Sequence, residues 1–130
     1  MSDDSMRTVE VLGVKYKLFK LPATFDETLF TRLDEYIVKS QHNFEQFTLM
    51  LAAAREHYVE TVNARDRRLY QFMKSKAHST RATTLKDLAR ADAIEEISAA
   101  NTAEAIFKRY EDWKEVGLER LQTFKKLKKE

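Results

Sequence analysis

The stretch from Leu29 to Met73, LFTRLDEYIVKSQHNFEQFTLMLAAAREHYVETVNARDRRLYQFM, decides the fold. Leu29, Leu33, Tyr36, Phe44, Phe47, Leu51, Ala54, Tyr58, Val62, Leu69 and Met73 recur at helical spacing, with Ser40 on the same face. Counting by elevens sets Tyr36, Phe47, Tyr58 and Leu69 in one column and Ser40, Leu51, Val62 and Met73 in another. A repeat of eleven is about 3.67 residues per turn, so such a stripe stays nearly straight along an α-helix. Neither Pro nor Gly occurs from Ala23 to Val116, and nothing in the backbone chemistry forces a break there. The spacing predicts one long helix within residues 23–76, from about Asp26, with Thr24 or Asp26 supplying the oxygen that caps its first amides. The stripe thins between Ala64 and Arg68, where a kink is expected.

Upstream, residues 1–22 form a tail and a predicted β-hairpin. Val9 and Val11 alternate with charged residues on one side of Leu12-Gly13, and Val14, Tyr16 and Leu18 do so on the other. That is the period of a strand pair, with a glycine where the chain turns. A two-stranded hairpin is marginal alone in water, so its apolar face needs a support. Pro22 ends the extended segment.

Downstream, residues 77–84 carry no large apolar side chain and are the predicted polar reversal. Thr84 and Asp87 stand three apart, as in a capping box, and a second long helix is expected over residues 85–128. Its apolar positions are Leu85, Leu88, Ile94, Ile97, Ala100, Ala103, Ile106, Tyr110, Trp113, Gly117, Leu121, Phe124 and Leu127. Gly117 lies on the stripe, where it either lets a neighbour come close or marks a bend. The seven alanines from Ala89 to Ala105 are read as helix formers rather than as a tight crossing. The expected fold is thus mainly α, an N-terminal β-hairpin followed by a long antiparallel helical hairpin in a single domain. Two helices give only two layers, and the aromatic load exceeds one seam. Self-association into a helical bundle is therefore expected, through Phe47, Tyr58, Tyr110, Trp113 and Phe124.

Composition narrows the function. The 130 residues include no Cys and two Gly, too few for a phosphate-cradling loop or a dinucleotide fingerprint. No Gly-x-Ser-x-Gly turn and no paired metal-binding motif occurs; His42-x-x-Glu45 and His57-x-x-Glu60 are pairs found on any charged helix. The expectation is a protein that is not an enzyme, with no catalytic residue, metal or cofactor. No apolar run approaches the about 18 residues that a membrane span needs. The acidic start, Met1-Ser-Asp-Asp-Ser, is unlike a secretory signal, and a cytoplasmic setting is expected.

Charge is segregated. Residues 61–90 carry 8 basic and 2 acidic groups, whereas residues 91–107 carry 4 acidic groups and no basic one. Arg65, Arg67, Arg68, Lys74, Lys76, Arg81, Lys86 and Arg90 are interleaved with Tyr70 and Phe72. Cations neutralise phosphates and an exposed ring stacks an unpaired base, so these cations with Tyr70 are the candidate site for single-stranded nucleic acid. The competing reading is a solvated elbow paired with Asp66, Asp87 and the acidic block. The alternative function is a helical assembly or adaptor subunit, a phage structural or secretion-type module with a protein partner. The lysines at Lys125, Lys126, Lys128 and Lys129 suit a helix end through its dipole.

The order of parts is a long charged helix, a basic reversal, then Leu85-Lys-x-Leu88-x-x-Ala91-Asp92 opening a second helix with Trp113 near its middle. Over residues 26–125 it resembles the UvsY-type recombination mediators of T4-like phages. That resemblance implies a ring-forming helical protein that binds single-stranded DNA and helps to load a recombinase. The β-hairpin lies outside the pattern.

Overall fold

The computed structural model describes residues 6–22, 27–76 and 81–129. The Thr24 or Asp26 cap, the first five residues of the tail and residues 77–80 of the polar reversal lie outside the described residues. The chain divides into two compact units, Met1–Ala53 with Arg109–Glu130, and Ala54–Lys108.

In the first unit, β1 (Met6–Val11) and β2 (Val14–Phe19) pair antiparallel from Val11↔Val14 to Met6↔Phe19. Leu12 and Gly13 both have positive φ, 52° and 84°, the geometry of a two-residue hairpin turn that matches strand twist. Glycine adopts it without cost and Leu12 under strain. Val11 and Leu18 are buried on the face that the pairing gives them.

Pairing alternates in such a hairpin, so Lys15, Lys17 and Phe19 turn their amides and carbonyls away from β1. Asn43, in the long helix, meets that edge. Its Oδ1 accepts from the Phe19 amide at 2.7 Å and its Nδ2 donates to the Phe19 carbonyl at 2.9 Å. From the preceding residue, His42 Nε2 lies 2.9 Å from the Lys17 carbonyl, which can only accept, so this nitrogen carries the proton.

The expected first helix is two helices, α1 (Glu27–Thr31) and α2 (Leu33–Lys76). At the junction the Arg32 amide donates to the Leu29 carbonyl, a tighter turn than the α-helical one. Arg32 and Lys39 then bind Glu35 at 2.7 and 2.9 Å. Their hydrogen bonds, Arg32 first, hold the Glu35 carboxyl down at about 2. Where the stripe thins, between Ala64 and Arg68, the helix is not interrupted: α2 runs through to Lys76.

The second helix is likewise double, α3 (Ala82–Asp92) and α4 (Ile94–Lys129), joined at Ala93. Its start corrects the capping-box expectation. Arg81 is the N-cap and makes no side-chain cap bond, so Thr84 falls inside the first turn.

Leu29, Leu33, Tyr36 and Phe124 form a buried cluster with Leu21, Ile37 and Leu127 against it. Tyr36 meets Phe124 at 5.8 Å and Phe47 meets Trp113 at 6.0 Å. Eleven residues forward on α2 are thus eleven back on α4, which makes the two helices antiparallel. Gly117 resolves to close approach: a Cβ there would stand 2.7 and 2.9 Å from two Phe47 ring carbons.

In the second unit, Tyr58 stacks on Phe107 at 5.7 Å and Arg68 binds Asp92, again antiparallel. Leu85, Ala89, Ala93, Ala100 and Ala103 are buried. Leu88 and Ile94, expected in the core, are instead 45% and 61% exposed. The inward face steps by four through Leu85, Ala89 and Ala93, and small side chains there pack at the seam rather than merely favouring helix.

Asn43→Ala is expected to lower unfolding stability by about 1–3 kcal/mol in urea denaturation, because it strands a partly buried amide and carbonyl. Gly117→Ala gains about 1 kcal/mol of helix propensity but loses about 1–3 to overpacking, a net loss. Adding Phe47→Leu should restore part of that loss, and simple additivity in the double-mutant cycle would show that the ring yields freely.

Candidate nucleic-acid interface

The basic residues sit on the C-terminal part of α2 and on α3, inside the second unit. Helical spacing sorts them. Arg67, Tyr70 and Lys74 stand at i, i+3 and i+7 and share one face of α2. All three are exposed, Tyr70 at 65%, with the Lys74 ammonium 6.0 Å from the Tyr70 ring centre. The sequence left the exposure of that ring open, and Phe72, the other interleaved aromatic, is half-buried.

Arg65 and Arg68 are committed differently. Arg65 is half-buried and its Nε lies 3.0 Å from Asp66. Arg68 donates through Nε and Nη2 to the two oxygens of Asp92 at 2.8 and 3.2 Å. Those bonds and the Asp92 charge, with Glu96 and Glu95 adding to it, push the Arg68 guanidinium up from its ordinary value. For these two arginines the pairing expected of a solvated elbow holds.

On α3, Lys86 and Arg90 are exposed one turn apart, where like charges repel. Arg81 and Lys76 are exposed as well. Among the described residues, no carboxylate lies within salt-bridge distance of Arg67, Lys74, Arg81, Lys86 or Arg90. The Ser75 hydroxyl, one candidate for a phosphate contact, already donates to the Phe72 carbonyl. Ser79 and Thr80 lie outside the described residues.

The aromatic residues expected to drive self-association are engaged within the chain. Phe124 is fully buried beside Tyr36, and Tyr110 is buried with its ring 5.2 Å from Trp113. Phe47, Tyr58 and Trp113 are half-buried, paired as described above, and the Arg7 guanidinium sits 5.6 Å over the Trp113 ring. The exposed large apolar side chains are others, including Val38, Leu49, Val59, Ile94 and Val116.

Among the described residues no group of three His, Asp or Glu could hold a metal ion. No helix among them is long and apolar enough to cross a membrane. No protein family, curated protein or solved structure matches the chain.

Asp92→Asn should cost less than about 1 kcal/mol of stability, since an exposed ion pair is worth no more than that. A larger loss in urea denaturation would make this pair a structural tie between α2 and α3.

Proposed function

We propose that the chain is a non-enzymatic binding protein for single-stranded nucleic acid, held along the α2 face of Arg67, Tyr70 and Lys74. The observation that carries this reading is the exposure of Tyr70 at 65% between cations one turn to either side. A phosphate chain neutralises the cations and a base stacks on the phenol ring, which requires unpaired bases. Lys86, Arg90, Arg81 and Lys76 add phosphate contacts, while Arg65 and Arg68 are held by carboxylates.

The narrower role, an accessory in recombination, comes from the resemblance to the UvsY-type mediators and adds self-association to strand binding. Sedimentation equilibrium with and without oligonucleotide tests it: a monomer in both arms removes the ring and leaves the binding.

The alternative, a helical adaptor acting only through protein contacts, draws support from the exposed Val38, Leu49, Val59, Ile94 and Val116. Salt separates the two readings. In fluorescence anisotropy with a labelled oligonucleotide, affinity should fall with salt at a slope of about −0.7 per phosphate neutralised. Arg67→Ala with Lys74→Ala should flatten that slope by roughly 1 to 1.5 units. Tyr70→Ala should weaken binding by about 1–3 kcal/mol. Asp92→Asn, which frees Arg68, should tighten binding and steepen the slope. An absence of binding at low salt would leave the adaptor as the function.

A further inference from the structure

The first unit contains a cavity of about 480 Å³ bounded by the hairpin, α2 and α4. Its volume lies in the range of small-molecule sites. Leu18, Phe19, Phe47, Trp113 and Val116 give it an apolar wall, and Gly117 withholds a side chain that would narrow it. Three cations line it too, Arg7, Lys20 and Arg120, and among the described residues no carboxylate does. Arg7 is drawn to the wall by its guanidinium lying over the Trp113 ring.

A second observation concerns Ser40. It lines the same cavity, is 1% exposed, and its Oγ has no hydrogen-bond partner. A buried hydroxyl left unpaired is costly, so the wall at Ser40 carries a polar group that the protein itself does not satisfy. The other buried polar side chain in the lining, Asn43, is committed to the Phe19 backbone.

We propose that this cavity binds a small amphiphilic organic anion. Its aromatic or alkyl body lies against Phe47, Trp113 and Leu18, and its carboxylate-like or sulfonate-like head is neutralised by Arg7, Arg120 and Lys20. Charge complementarity sets the sign, because three cations with no carboxylate beside them among the described residues repel one another until an anion enters. The wall sets the class. A nucleotide base has several polar edges, and an apolar wall would leave most of them unpaired. The site is independent of the α2 face that carries Arg67, Tyr70 and Lys74.

The test uses anilinonaphthalene sulfonate, a flat apolar body with one anionic head, and the full chain. Trp113 is the single tryptophan, so energy transfer from it to the probe reports binding at the cavity. Saturable one-to-one binding is expected, with displacement by dodecanoate. The neutral analogue N-phenylnaphthylamine should bind at least about tenfold more weakly, and so should the anionic probe to the Arg7→Gln, Arg120→Gln double variant. A tenfold loss is about 1.4 kcal/mol.

Val116→Glu supplies a second variant at a position 55% exposed, where the new carboxylate keeps contact with water. It puts a like charge in the wall and should also weaken the sulfonate at least about tenfold, with an unchanged near-ultraviolet circular dichroism spectrum. The proposal is overturned if the neutral analogue binds as tightly, or if Val116→Glu binds the sulfonate as the unmodified chain does. Displacement of the probe by an oligonucleotide would also overturn it, because the cavity would then serve a strand.

Discussion

A side-chain amide in the long helix closes on the backbone of a strand, and the first unit is organised around that contact. Asn43 does for Phe19 what a neighbouring strand would do, accepting from its amide and donating to its carbonyl. Without such a partner the outer edge of β2 would present unpaired groups, a liability in any sheet of two strands. With it, and with His42 on the Lys17 carbonyl, the hairpin is fixed to α2 while Leu18 and Val11 are buried. The same docking brings Arg7 over Trp113 and supplies one wall of the cavity. A polar contact thereby decides where apolar surface goes.

Periodicity made much of this architecture legible beforehand. The alternation about Leu12-Gly13 specified the hairpin and its turn, and the eleven-residue columns specified the inward face of α2. What escaped was of two kinds. Asn43 is polar, so a reading by hydropathy places it with surface residues, and its partner is 24 positions away in sequence. Ala89 and Ala93 are small, so their weight in a stripe is slight, and the larger Leu88 and Ile94 drew the face toward themselves. The breaks at Arg32 and Ala93 have no Gly or Pro to announce them. Each is a single residue across which the buried positions keep their spacing of three and four, so hydrophobic periodicity does not register it.

For the candidate interface, sequence located the cations but not their commitments. Arg65 has a neighbour that ties it locally, and the acidic block identified the kind of group that would hold Arg68 without identifying Asp92 as the one. Tyr70 stands 65% exposed although Leu69, Phe72 and Met73 around it are half-buried, a difference that side-chain type alone does not announce. The two units thus carry positive charge in different settings. In one it stands on open helix faces beside a bare ring, and in the other it borders an apolar hollow. The first setting suits an extended polyanion and the second a compact one.

The close approach of Phe47 to Gly117 has a consequence for uniqueness. Residues eleven apart on α2 occupy equivalent places, so sliding α2 along α4 by that step would bring like against like and the aromatic seam alone would hardly object. The slid arrangements would set Phe47 opposite Ile106 or Lys128 instead of Gly117, and both carry the Cβ that the ring cannot accommodate at this distance. A position without a side chain thereby works as a keyway. It admits one ring in one alignment, and it turns a repetitive pattern into a single register.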